Sequence, residues 1–397
     1  MYSPAPLSVS LPPRAENETT GFTATLQRGR SHKYKRYKKS IYMEREFYYS
    51  KDGTKVMVVA PVAELEDIIG EMNHFKYKYD HMLVIGNGFD LNLGLATRYS
   101  DFVKSNIFKK MYEKRIQEKE KKQPSLIDYL YGKSFCERWY DIELSLFEYV
   151  SRKPDGGFVN NVEIDRRDHE LLCESLVEYL TSLFKTGDDL KQSHEMQQTS
   201  SGQLLQNVNS ERSVLYSFNY TPINLIINAV LGSISLKTKQ VHGEIKEESI
   251  FKGVIKDSGI VLGIEVDDIN SIAPGYSFLI KSNNLAYKST NIALDLLNTR
   301  NVILFGHSLN QMDFGYFCEY FKMLASNRDN ERILTIITKD KESRVSLLDN
   351  IRKMGISVRD ICAHTKVEYI LTDNIDVKDS KDAKLFNGLL ERLELSY

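Results

Sequence analysis

Residues 83–90 read Leu-Val-Ile-Gly-Asn-Gly-Phe-Asp, so three strand-forming apolar residues run directly into a Gly-x-Gly turn with an aspartate and a helix-like stretch behind it. In such a strand–turn–helix unit the glycines allow a tight turn and close backbone approach. The helix that follows offers unpaired N–H groups and a partial positive charge to a phosphate. This corner predicts a Rossmann-like α/β fold that meets a nucleotide. It departs from the dehydrogenase fingerprint, because the sixth position is Leu91 rather than glycine and no acidic residue lies about 20 residues on to hold a ribose hydroxyl. Gly132-Lys133-Ser134 is a Gly-Lys-Ser, but Ile127 stands where the P-loop pattern needs its first glycine, which disfavours a P-loop NTPase.

Outward from this corner, Met82–Ile85, Ser213–Phe218, Ile260–Ile264, Asn301–Phe305, Arg332–Thr338 and Lys366–Leu371 read as strands, with helical stretches between several of them. That alternation predicts a mostly parallel sheet covered on both faces. The interval from Gly88 to Val214 far exceeds the roughly 30 residues of a simple βαβ unit, so a helical insertion is expected at about 104–205. Its expected parts are a Lys-rich helix over Lys104–Lys122, a helix around Tyr129–Val150, a helix over Leu171–Lys185 and a polar loop over Lys191–Gly202.

Two segments precede the corner, and the second, residues 41–80, carries no chemistry. Residues 1–40 hold 8 Lys and Arg against 2 Glu and end in the basic run 28–39, which suits a poorly ordered arm or a nucleic-acid contact. Residues 41–80 form an accessory element, with a β-hairpin over Glu44–Val62 turning at Lys51-Asp-Gly-Thr54 and an amphipathic helix over Ala63–Tyr79. The α/β domain spans 81–397.

The 397 residues are 42% hydrophobic and 27% charged, with a formal net charge of −1, so no global field draws nucleic acid or an anionic membrane. The four cysteines, Cys136, Cys173, Cys318 and Cys362, form no C-x-x-C pair and are expected to be buried, reduced thiols. No apolar run approaches the roughly 18–20 residues that span a bilayer, and no signal peptide is evident. The expectation is a cytoplasmic protein with no membrane contact.

Further polar segments look built to meet the glycine corner. Ser217-Phe-Asn-Tyr-Thr221 ends a strand in an amide and a hydroxyl. Val241-His-Gly243 sets an imidazole beside a permissive backbone position. Gly306-His-Ser-Leu-Asn310 with Asp313 follows another apolar strand. Polar residues at the carboxyl ends of strands lie where open α/β sheets bind ligands. Helical periodicity also puts Glu143 on one face with Trp139, Ile142, Leu146 and Val150, where a carboxylate needs a partner or a pocket.

These elements, Gly86-Asn-Gly-Phe-Asp-Leu91 with Gly94 to Phe102, Trp139-Tyr-Asp-Ile-Glu143, Ser217–Thr221, His242-Gly243 and Gly306–Asn310 with Asp313, resemble the abortive infection AbiH family of bacterial phage-defence proteins over roughly 81–375. At one remove their order is similar to sirtuin-like domains, several of which destroy NAD in phage defence. The first loop here is Gly-Asn-Gly rather than Gly-Ala-Gly, and the zinc-binding cysteines of the deacylases are missing. The resemblance implies a sirtuin-like nucleotide fold that hydrolyses NAD or NADP. It implies Gly86, Asn87, Gly88 and Asp90 at the pyrophosphate side, Asn219 orienting the ribose or water, and His242 as general base. Thr221, Gly243, Gly306 and Ser308 would line the ligand, Glu143 and Asp313 would be acidic site residues without assigned roles, and no metal would be required. A phage-derived trigger, a defence-system partner or self-assembly would complete the system. Two alternatives stay open: a metal-dependent nuclease or nucleotide-directed toxin using Asp90, Glu143 and Asp313, and a nucleotide-sensing module without chemistry.

Overall fold

The computed structural model describes residues 76–394 except 118–123, 136–140, 152–160, 185–192, 209–210, 233–235, 247–248, 251–258, 267, 289 and 327–330. It also describes the backbone of two earlier strands, β1 (Met43–Tyr49) and β2 (Lys55–Pro61), which pair antiparallel as the expected hairpin. The basic arm and residues 63–75 of the expected helix lie outside the described residues. Tyr79, expected to end that helix, instead opens a strand.

That strand, β3 (Tyr79–Ile85), is the centre of a six-stranded parallel sheet with β4 (Ser213–Ser217), β5 (Lys237–Gln240), β6 (Thr299–Phe305), β7 (Ile333–Thr338) and β8 (Lys366–Leu371). The order is β5-β4-β3-β6-β7-β8. Counted from β3 this is 3-2-1-4-5-6, the Rossmann order, in which the chain changes direction between the first and fourth strands and leaves a crevice at their carboxyl ends. Ile85 pairs with both Ser217 and Phe305, so β3, β4 and β6 end level and the loops behind them emerge side by side.

The continuous apolar run of β3 follows from burial on both faces. Met82 and Val84 enter one core with Tyr216, Leu304 and Phe317, while Leu83 and Ile85 enter the other with Leu215, Phe305 and Phe386. Between β3 and β4 lie α1 (Asn87–Asn92), α2 (Tyr99–Lys104), α3 (Asn106–Gln117), α4 (Leu126–Lys133), α5 (Ile142–Val150), α6 (Val162–Ser182), α7 (Ser193–Gln198) and α8 (Ser200–Asn207). After β4 come α9 (Ile223–Leu231), α10 (Ile292–Leu297), α11 (Phe314–Ser326), α12 (Lys341–Lys353), α13 (Val358–His364) and α14 (Lys381–Glu394). Helices α10 to α13 cover the first face, and α7, α8, α9 and α14 contribute to the second. The insertion's Phe102, Phe108, Ile127, Leu146 and Leu176 form a third core together with Ile245, Leu262, Tyr276 and Leu279 of the segment between β5 and β6.

Several local expectations are corrected. The helix expected around Tyr129–Val150 is two helices, because the carboxylate of Asp141 accepts from Leu144 N at 3.0 Å and starts α5 there. Trp139 lies outside the described residues. Helix α6 begins nine residues before the expected Leu171, capped by Asn161. The polar run expected as a loop over Lys191–Gly202 is largely helical across its described residues 193–202. Thr199 caps α8 by accepting from Gly202 N, a Cβ on Gly202 would sit 1.9 Å from Met196 O, and Met196, Leu204 and Leu205 supply a narrow buried face that the polar residues obscure. Ile260–Ile264 is buried but forms no strand of the sheet, with a bend at Gly263 and a single isolated bridge from Ile264 to Ile280; Val261 N donates to His242 O and Lys281 N to Ile264 O. Of the cysteines, Cys362 is exposed and Cys173 and Cys318 are partly buried, so they are not uniformly interior. Among the described residues no helix is long and apolar enough to cross a membrane.

Candidate functional site

The glycine corner and the loop after β6 are built against each other. Gly86 N donates to Phe305 O at 3.0 Å and Gly88 N to Gly306 O at 2.9 Å, so both amides are committed to the chain itself. A Cβ on Gly88 would lie 2.6 Å from Gly306 Cα, and Gly306 holds a φ of +62°. Glycine is needed at both positions because two backbones meet there. Helix α1 has six residues, and its entry residue Asn87 is exposed, with its amide oxygen accepting from Thr97 Oγ1 at 2.5 Å.

Behind the corner, Asp90 is fully buried and fully partnered. Its Oδ1 accepts from Asn219 Nδ2 at 2.8 Å and its Oδ2 from Thr221 Oγ1 at 2.7 Å. Asn219 Nδ2 also donates to Gly86 O at 3.1 Å, so the end of β4 is tied to the end of β3 through one carboxylate and one amide. Burial pushes the Asp90 carboxyl up to about 7, with the bonds from Thr221 and Asn219 pulling the other way.

A second cluster lies across the same strand ends. His242 follows β5, where Gly243 holds a φ of +76° against Gly259, and its ring packs edge-on to Phe218 and near Tyr316. Its Nε2 lies 3.0 Å from Asp313 Oδ1. Asp313 comes from the turn before α11, which Asn310 caps by accepting from Met312 N. The other Asp313 oxygen is 3.6 Å from His307 Nε2. His307 Nδ1 accepts from Leu309 N at 2.9 Å, which leaves the ring proton on Nε2, aimed at Asp313. Leu309 is buried with a φ of +51°, a strained backbone for a residue with a side chain. Burial would raise the Asp313 carboxyl, but the His242 bond and the charges of His242, His307 and Lys281 outweigh it and hold it at about 2. Burial lowers His307 to about 4.

Glu143 joins this cluster through Lys281. On α5, Glu143 Oε1 accepts from Tyr220 Oη at 2.7 Å and Oε2 from Lys281 Nζ at 2.7 Å. The Lys281 ammonium is also 3.3 Å from His242 Nδ1, and the lysine is 1% exposed. The result is a buried row, Tyr220–Glu143–Lys281–His242–Asp313–His307, at the carboxyl ends of the strands around the switch point.

Asp90, Asn219 and Thr221 thus form one knot, and His242, Asp313 and Glu143 belong to the other, while Gly306 meets the glycine corner and Gly243 turns the His242 loop. Ser308 is exposed and reaches neither knot; its carbonyl accepts from Asn350 Nδ2. Lys281 was missed by sequence reasoning because one lysine after Phe278-Leu-Ile carries no motif. His307 lay inside a quoted motif without a role. A surface depression along α12, lined by Lys341, Glu342, Val345 and Asp349, shares no residue with the cluster and brings no convergent chemistry.

A family model, bacteriophage abortive infection AbiH, matches residues 82–335, from β3 into β7. None of the curated proteins compared matches the chain.

Proposed function

The chain belongs to the bacteriophage abortive infection AbiH family, and on that premise we propose that it is a phage-defence effector that binds NAD, NADP or a related dinucleotide and hydrolyses it at the nicotinamide–ribose bond. The observation that carries this reading is the 3.0 Å His242–Asp313 pair at the switch point of a 3-2-1-4-5-6 sheet. The distant likeness to sirtuin-like domains supports the choice of ligand.

The chemistry asks little of the protein. Water attacks the ribose carbon, the carbon–nitrogen bond breaks with its electron pair returning to the cationic nicotinamide ring, and one proton is released. With Nε2–H held by Asp313, His242 Nδ1 is the atom that takes that proton. Asn219, fixed by Asp90 and Gly86 O, keeps its Oδ1 to orient the ribose or the water. The loops at Gly86–Gly88 and Gly306 form the wall at the diphosphate, with Asn87 as the exposed polar residue.

The three carboxylates of the nuclease alternative have separate partners: Asp90 has Asn219 and Thr221, Glu143 has Tyr220 and Lys281, and Asp313 has two histidines. A sensing role without turnover is favoured by one observation, the closure of the site: His242 and Asp313 are each 4% exposed, so a ligand must open it. Incubation of the purified protein with NAD and NADP, with and without EDTA, separates the readings. Nicotinamide release that survives EDTA and disappears in His242→Ala and Asn219→Ala supports hydrolysis. Chelator-sensitive activity supports the nuclease alternative, and stoichiometric binding without release supports sensing.

A further inference from the structure

The buried polar row also marks a boundary between two bodies. Helices α2 to α6 share one buried core with Ile260, Leu262, Tyr276 and Leu279 of the segment after β5. Polar bonds tie these parts together as well: Tyr276 Oη donates to Asp165, Ala273 N donates to Val150 O at 2.9 Å, and the His169 ring meets Leu262 O at 3.0 Å. Among the described residues, the loops directly behind β3, β4 and β6 add only Tyr220 and Met312 to that core. Helices α2–α6 and residues 260–281 therefore make one cap over the strand ends. Beside His242 the cap is held by Met312 and by polar contacts. Tyr220 Oη donates to Glu143 Oε1 at 2.7 Å and lies 3.3 Å from Val261 O, while Val261 N donates to His242 O at 3.0 Å. The Lys281 ammonium lies over the face of the His242 ring, 3.3 Å from Nδ1 and 3.4 Å from Nε2. An interface within a chain is free to open unless it is large and apolar.

We propose that this cap swings off the strand ends as one body to admit the ligand, and that the Tyr220–Glu143 bond is the latch that keeps the resting site shut. This rests on reading His242 as part of the site and not on what is cleaved there. With 3.3 Å between ammonium and ring, nothing fits between them, so the closed state blocks its own site. The charges are distributed in a way that lets the two bodies part. Glu143 and Lys281 both belong to the cap and stay paired at 2.7 Å when it lifts. Asp313 stays with His242 and His307 on the strand ends. Opening therefore strips no carboxylate of the row of its cationic or histidine partner, the step that makes breaking a buried pair costly. Asp141 caps α5 through Leu144 N and so fixes the first turn that carries Glu143, which makes the latch carboxylate move with its helix. What opening gives up is the Tyr220 bond, the Val261 bond and the contact of the ammonium with the ring. Lids of this kind commit a ligand and exclude water once closed again.

The test is Tyr220→Phe in the full chain, which removes the latch hydroxyl and keeps the ring. Opening is read as the rate at which diethyl pyrocarbonate modifies His242, located by mass spectrometry. Integrity of the cap is read as hydrogen exchange at Leu126 N, bonded to Asp165, and Ala273 N, bonded to Val150 O, two amides held inside it. The variant should modify His242 about tenfold faster or more, the weight of a hydrogen bond to a charged acceptor, while both amides keep the parent's protection. An unchanged His242 rate overturns the proposal. So does a loss of protection at Leu126 and Ala273 in step with the faster modification, because the cap would then be unfolding rather than swinging. If Tyr220→Phe does not fold, the parent decides: His242 modified while the two amides stay protected supports the swing, and His242 modified only as they exchange overturns it. Neither readout needs a ligand or turnover. Failure to cleave NAD would remove the enzymatic reading and leave these rates standing.

Discussion

His242 Nε2 lies 3.0 Å from Asp313 Oδ1, and the two side chains are only 5% and 6% exposed. Asp313 is therefore ionised in the interior because a histidine on each side holds it so. Its carboxyl titrates near 2 in the folded chain against 3.8 ordinarily. A depressed carboxyl stabilises the fold above the unfolded value and loses that contribution as pH falls through the folded one.

Asp313→Asn should thus cost about 2 to 3 kcal/mol at pH 7 and flatten the loss of stability between about pH 4 and pH 2. Urea denaturation across that range measures it. An unchanged acid slope would mean that the pair is not formed.

Asp90 has the opposite sign. Its folded carboxyl is raised to about 7, so the folded state keeps a proton that the unfolded chain gives up, and stability declines as pH rises from about 4 to about 7. Asp90→Asn can still accept from Asn219 and donate to Thr221. The variant should match the parent near pH 4 and exceed it by a few kcal/mol, on the order of 3, at pH 8. Denaturation midpoints at the two pH values decide, and equal differences at both would refute the assignment.

The glycine corner makes a steric prediction. A Cβ on Gly306 would fall 2.5 Å from the backbone of Gly88 and Phe89, in a residue that also holds a φ of +62°. Gly306→Ala should destabilise by about 2 to 4 kcal/mol, through overpacking and left-handed strain together. Gly94→Ala, at a φ of +89° with open space around it, carries only the strain and should cost about 1 to 2 kcal/mol. Comparable costs for the two would deny the close approach.

Much of this fold is legible in the chain where burial writes a simple pattern. Strand β3 is apolar at every position from Met82 to Ile85 because both of its faces are covered, and β8 was readable to its last residue. Strand β5, Lys237–Gln240, escaped notice because an edge strand with exposed or half-buried positions needs no apolar run. Ile260–Ile264 misled for the converse reason, since a buried apolar segment has a strand's composition whether or not it joins a sheet. In the site, Asn219, His242 and Asp313 stood out as polar residues after apolar strands. Lys281 could not, because its meaning comes from Glu143 and His242, which tertiary packing alone brings to it.

With a phage that the parent protein restricts, NAD, nicotinamide and ADP-ribose are measured through infection in cells carrying the parent or His242→Gln. NAD should fall and nicotinamide and ADP-ribose should rise as the parent cuts phage yield, with neither effect in the variant. Restriction by the parent at an NAD level equal to that of the variant would contradict the proposed hydrolysis.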